Sequence, residues 1–227
     1  MPVLTYYGHN AFLLEADGKA VLVDPFITGN PSATRPADSF DVQTILLSHA
    51  HGDHVGDTVD ISKRTGATVI ATFELGEWVE AQGGTAIPAN HGATIAFDGG
   101  TTKLVPAWHT SSYGPDFVAP GMPAGHVVRF GGKTIYFAGD TCLFLDMQLI
   151  GEEGLDLAVL PIGDHFTMGP KDAVRAVKFL QPKAVIPSHY NTFPPIQQDA
   201  QAFKRLVEEE TPAQCIVLDP GQSYTIA

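Results

Sequence analysis

The chain has 227 residues, 44% of them hydrophobic and 17% charged, ordinary for a compact fold with a sizeable core and consistent with one domain over residues 1–227. A formal net charge of −12 leaves no basic surface to neutralise phosphates, which disfavours nucleic acid as a partner. The opening residues carry no basic and apolar export signature, and no run approaches the roughly 20 apolar residues that span a bilayer, so the expectation is a soluble, cytoplasmic protein without a membrane partner. Cys142 and Cys215 are the two cysteines; they fit a reducing compartment and cannot form a C-x-x-C site.

In chain order, "VLTYYG", "NAFLLEAD" and "KAVLVDPF" read as strands, with turn chemistry at "DGK". Residues 29–41, rich in Pro, Ser, Asp and Asn, read as a loop, and "VQTILLS" as a short buried strand. "ATVIAT" follows as a strand and "FELGEWVEAQG" as a helix closed by Gly83. "TIAFDGGTTKLVPAWH" and "GHVVRFGGKTIYFAGDT" read as hairpins that turn at Gly-Gly pairs. Beyond Asp140, "DLAVLPIG", "KAVIPSH" and a final strand pair in "QCIVLDPGQSYTIA" alternate with helices in "GPKDAVRAVKFLQP" and "PIQQDAQAFKRLVEEE". Hairpins thus dominate the first half, and strands alternate with helices in the second. This α/β order fits a two-sheet sandwich with helices outside.

The chemistry concentrates in "LLSHAHGDHVGD", residues 46–57, where three of the nine histidines fall within six residues. If the strand ends near Ser48, His49 and His51 point the same way, and Gly52 lets the chain turn so that Asp53 and His54 follow at the mouth of the next segment. Neutral imidazole and carboxylate at this density are ligands for first-row metals. His109, Asp140 and His189 each end an apolar run. Singly they read as well as a capping aspartate or satisfied buried histidines; with the cluster they form a coherent ligand set on one sheet edge.

The ordered set H-x-H-x-D-H, lone histidine, G-D-T and strand-end histidine resembles the metallo-β-lactamase superfamily over nearly the whole chain. "YYGHNAFLLE", "GDTCLF" and "PIGDHFTMGP" further resemble its small uncharacterised metal-dependent hydrolases, relatives of ascorbate-6-phosphate lactonase. The resemblance implies a four-layer αβ/βα sandwich with the metal site at one edge. It assigns His49, His51 and His109 to one metal, Asp53, His54 and His189 to a second, and Asp140 as the bridge. The implied cofactor is two divalent ions per chain, zinc first, with manganese, iron, cobalt or nickel as alternatives set by supply.

Two such ions share a water, lower its pKa toward neutrality and clamp a substrate oxygen, which is hydrolytic machinery. Together with two carboxylates and one hydroxide they leave a residual charge of about +1 for a substrate oxyanion. The flavodiiron branch carries glutamate where this chain has His51, which disfavours oxygen or nitric oxide reduction. The expected reaction is hydrolysis of a small ester, lactone or phosphodiester, with Asp53 among the catalytic groups. The alternatives are a non-catalytic metal or metabolite sensor on the same fold, and a nuclease.

His9, in "GHN" at a strand turn, reads equally as a residue behind the ligands, as one facing substrate, or as a capped turn residue; with His165, in "GDHFTMG", it is the candidate to assist the leaving group. Tyr190 and Asn191 adjoin a ligand and, with His165, are expected to line the substrate pocket. His91 reads as an exposed turn residue and Cys142 as a small buried hydrophobe. The expected partner is a small-molecule substrate, and the sequence leaves homo-oligomerisation open.

Overall fold

The computed structural model describes residues 1–116 and 118–227. Its strands are β1 (Val3–Tyr6), β2 (Phe12–Ala16), β3 (Lys19–Val23), β4 (Thr44–Leu46), β5 (Thr68–Thr72), β6 (Thr85–Ala89), β7 (Thr94–Phe97), β8 (Gly100–Pro106), β9 (Ala124–Phe130), β10 (Lys133–Phe137), β11 (Leu157–Pro161), β12 (Ala184–Ser188), β13 (Gln214–Cys215) and β14 (Ser223–Thr225). Its helices are α1 (Gly52–Val55), α2 (Thr58–Thr65), α3 (Phe73–Ala81), α4 (Met147–Gly151), α5 (Pro170–Leu180) and α6 (Ala200–Glu210). No helix among the described residues is long and apolar enough to cross a membrane.

The strands form two seven-stranded sheets, ordered β14-β1-β2-β3-β4-β5-β6 and β7-β8-β9-β10-β11-β12-β13. Read in that order, each sheet has antiparallel pairings at its first four strands and parallel pairings from the fourth strand onward. Both faces of the central strands are buried, which is why they read as continuous apolar runs. Phe12, Leu14, Leu46 and Ile70 of the first sheet meet Leu104, Val128, Phe137 and Val159 of the second between the sheets. Outside the first sheet, Leu22, Ile45 and Val69 cover Ile61 of α2 and Leu75 and Val79 of α3. Outside the second, Tyr136, Leu160 and Val185 lie under Met147 of α4, Val177 of α5 and Phe203 of α6. The result is the expected four-layer αβ/βα sandwich.

Local chemistry explains several boundaries. Gly131 and Gly132 both hold positive φ, as a two-residue hairpin between the paired Phe130 and Lys133 requires. The β7–β8 turn sits one residue earlier than the Gly-Gly pair suggests, at Asp98-Gly99, because Gly100 pairs with Phe97. α6 starts at Ala200, later than the sequence implies, because the Asp199 carboxylate caps it by accepting from Ala202 N–H.

Three expectations change. The first half is not mainly hairpins, since β4, α2, β5, α3 and β6 make a parallel β-α-β-α-β run. The segment from 214 onward is not a strand pair: β13 adds to β12 in the second sheet, and β14 to β1 in the first. Cys142 is exposed, not buried: it lies on the connection after β10, where its backbone N–H is held by Trp108 O.

Candidate metal centre

The strands deliver polar residues to one edge. His9 follows β1, Asp24 follows β3, His49 follows β4, His109 follows β8, Asp140 follows β10 and His189 follows β12. Three groups of donors result. His49, His51 and His109 form one, His9, Asp53, His54 and His189 another, and His49, His54 and Asp140 a third that overlaps both, with ligand atoms within 4.8 Å of one another in each.

Asp140 lies between the first two, buried. Its Oδ1 is 3.2 Å from His54 Nε2, and its Oδ2 is 3.0 Å from His189 Nε2, 3.5 Å from His109 Nε2 and 4.0 Å from His49 Nε2. In the first group, Nε2 of His49 and Nε2 of His109 approach Nδ1 of His51 at 3.0 and 3.3 Å. His51 therefore presents Nδ1 to the centre, and the other two present Nε2.

Hydrogen bonding behind the candidate ligands fixes which nitrogen is bare. Asp24, wholly buried, accepts from Asn10 Nδ2 at 2.7 Å, Ser48 N–H at 2.8 Å, Ser48 Oγ at 2.6 Å and His54 Nδ1 at 2.8 Å. A carboxylate only accepts, so His54 carries its proton on Nδ1 and its Nε2 lone pair faces Asp140. Ser48 spends its own proton on Asp24, so at 3.0 Å its oxygen accepts from His49 Nδ1, and His49 Nε2 is bare as well. His9 Nε2 reaches Asp53 Oδ2 at 3.1 Å and His9 Nδ1 reaches Thr192 Oγ1 at 2.9 Å. His9 is wholly buried, whereas the Asp53 side chain is 30% exposed, so His9 orients Asp53 from behind and does not meet solvent.

The donors fit metal ions. His54 Nε2 and Asp140 Oδ1 are buried and close, yet neither has a hydrogen-bond partner, a costly arrangement unless a cation lies between them. Burial opposes charge on His54, but Asp140 and Asp24 on either side outweigh it and raise its pKa well above the ordinary range. Burial likewise opposes charge on Asp140, but His189 and His54 hold its pKa well below the carboxylate range. Both directions express the same demand for positive charge at the centre. Around it, burial pushes His49 well down, reinforced by His54, and holds His9 down to about 4, reinforced by His189. Neutral imidazoles are the form that binds metal.

Other expected residues lie apart from these clusters. His165 is exposed, its ring edge-on to Phe166 at 4.5 Å. Tyr190 packs against the core between the second sheet and its helices, and burial pushes its phenol up to about 12. Asn191 Oδ1 accepts from Gln198 N–H at 2.8 Å. His91 is half-buried and holds Pro123 O from Nε2 at 2.8 Å. Asp24, Ser48 and Asn10 are not among the residues that the sequence singles out. Asp24 had a usable signal, since like Asp140 it closes an apolar run, "AVLVD".

The chain matches the Beta-lactamase superfamily domain over residues 19–190. It is 54% identical over 211 residues to a UPF0173 metal-dependent hydrolase of Thermus thermophilus, covering 92% of this chain and 93% of the relative. It is 47% identical over 226 residues to another from Methanopyrus kandleri, covering 97% and 98%. The structure superimposes on Igni18, a metallo hydrolase from the archaeon Ignicoccus hospitalis, with a TM-score of 0.90 at 39% identity, covering 98% of this chain and 97% of the other. The chain therefore belongs to the metallo-β-lactamase superfamily, among the UPF0173 metal-dependent hydrolases.

Proposed function

We propose that this hydrolase is binuclear, and that it cleaves a small ester, lactone or phosphodiester. The observation that carries the reading is the placement of Asp140, with one carboxylate oxygen toward His54 and the other toward His189 and His109. His49, His51 and His109 would hold one ion, Asp53, His54 and His189 the second, and Asp140 would bridge. Zinc suits these imidazole and carboxylate donors first, and manganese, iron, cobalt or nickel would also be accepted.

When bound, a pair of divalent ions supplies Lewis acidity and a water acidified to near-neutral pKa. The chain's own residues do the rest. Asp24 and Ser48 hold His54 and His49 in the tautomers that leave Nε2 free, and His9 holds Asp53. His165, exposed on the loop after β11, would be the group that gives a proton to a departing oxygen. The cell compartment consistent with this chemistry and with two unpaired cysteines is the cytoplasm.

Saturation with zinc, desalting and elemental analysis should return two ions per chain, and the loaded protein should turn over at least one member of a panel of esters, lactones and phosphodiesters. A single tight ion would overturn the binuclear reading. Two ions without turnover would favour a sensor, and degradation of single-stranded RNA or DNA a nuclease.

A further inference from the structure

We infer that the metal edge selects an uncharged substrate carrying an apolar or aromatic group, a neutral ester or lactone, over a substrate bearing further negative charge. The inference narrows the proposed hydrolase and rests on it.

The first observation is charge. The connections that build the edge comprise residues 7–11, 24–43, 47–57, 107–116, 118–123, 138–146, 162–169 and 189–199. Only one of the 13 Lys and Arg residues, Arg35, lies in them, while they hold ten aspartates, only two of which are proposed ligands. The cations there and nearest in sequence are committed or outlying: Arg35 hydrogen-bonds Ser39 and stacks 4.1 Å over Phe40, Lys103, Lys133 and Lys204 pair with Glu153, Asp156 and Glu208, and Lys171 is exposed on the first turn of α5. Asp24 bears on the centre itself. It is a third carboxylate beside the two proposed ligands, wholly buried and bonded directly to His54, so the charge of about +1 expected from two carboxylates and one hydroxide falls to about zero. Nothing at the edge is left to neutralise a phosphate or carboxylate on the substrate.

The second observation is an apolar lip. Trp108 N–H donates to Thr141 Oγ1 at 3.0 Å, Cys142 N–H donates to Trp108 O at 3.1 Å, and Met168 N–H donates to Thr141 O at 3.0 Å. Thr141, wholly buried, follows Asp140 directly. The connections after β8, β10 and β11 are thus laced together beside the metal ligands. On this fixed backbone Trp108 is 57% exposed and Phe166 is 53% exposed. Exposed single apolar residues are common, but two aromatics held on one rigid lip, one of them adjacent to the ligand His109, offer contact area at little conformational cost.

The test compares three p-nitrophenyl esters with one leaving group: the acetate, the phenylacetate and the phenylacetate carrying a para-carboxylate. With zinc-loaded protein, kcat/KM for the phenylacetate should exceed both others by about tenfold, the scale of one well-placed aromatic contact or one unneutralised charge. Trp108→Ala or Phe166→Ala should remove most of the advantage over acetate through KM, and Phe166→Lys should raise the carboxylate ester. Binding is read separately in Trp78→Phe, where Trp108 is the remaining tryptophan: phenylacetamide should change its fluorescence saturably, and 4-carboxyphenylacetamide should bind at least tenfold more weakly. Equal binding of the two amides, or equal turnover of the charged and uncharged esters, overturns the inference. Selective amide binding without turnover of any ester leaves it standing and rejects the hydrolase reading instead.

Discussion

His189 donates its backbone N–H to the carbonyl oxygen of His9 at 2.7 Å, and both residues hold left-handed φ, 55° and 57°. His9 follows β1 of the first sheet and His189 follows β12 of the second. One main-chain hydrogen bond therefore joins the two sheets at the metal edge, and their rings lie 4.0 Å apart between centroids. Histidine and asparagine tolerate this backbone better than most residues. His9→Asn should accordingly keep the backbone but lose the reach to Asp53. The expected outcome is a drop of about 10–100-fold in affinity for one of two ions, the usual scale for losing a group behind a ligand. Competition with a chromophoric chelator would resolve it, and two unaltered binding steps would exclude the positioning role.

Asp140→Asn removes a negative charge from between two proposed cations. Unit charges 4 Å apart interact by about 4 kcal/mol at an effective dielectric constant of about 20, and divalent ions repel more strongly. The variant should fold, bind one ion and lose at least about 100-fold in turnover. Circular dichroism, elemental analysis and steady-state rates check the three parts, and a variant with two ions and normal rates would remove Asp140 from the bridge.

Asp24 and Ser48 should separate by their wiring. Ser48→Ala deletes the acceptor of His49 Nδ1 and spares the Asp24–His54 bond, so it should weaken chiefly the ion held by His49, His51 and His109. Asp24→Asn disturbs His54 directly and His49 through Ser48, so it should weaken both ions and cost about 1–3 kcal/mol for imperfectly satisfied buried groups. Metal titrations followed by thermal melts distinguish them; identical profiles for the two variants would mean that the relay does not operate.

His165→Ala should keep both ions, because the ligand roles are filled without it, but should lower turnover by about 10²–10⁴-fold if the side chain protonates the leaving oxygen. Aryl esters, whose phenolates leave unaided, should suffer less than alkyl esters. Loss of metal would make His165 a ligand, and equal, normal rates on both ester types would make it a loop residue.

The candidate ligands stand out in the sequence because histidine and aspartate are unusual immediately after apolar strands, and those strand ends meet at one sheet edge. Asp24 carries that signature too, yet an isolated aspartate there reads equally well as a turn former. Helix α2 is hard to see because "TVDISKRT" has few apolar residues to show a helical period. β6 is masked by Pro88, tolerated because β6 lies at the edge of its sheet. The split of β13 and β14 between sheets is a long-range pairing that no local pattern encodes. The roles of Asp24 and Ser48 emerge only when residues 24 positions apart meet.

β14 closes the first sheet from the far end of the chain, with Thr5 Oγ1 2.8 Å from Ser223 Oγ across 218 positions. Without it, β1 would present an unpaired row of N–H and C=O groups, an open template for another strand. A fragment holding only the first sheet's other six strands would therefore expose a sticky border and tend to associate with copies of itself. The pairing joins strands 218 positions apart, the kind of long-range contact that slows folding in general, and it leaves the first half unsealed until the second has been made. In the finished fold the closing strand thus guards the first sheet against self-association, a protection that arrives only once the last strand is made.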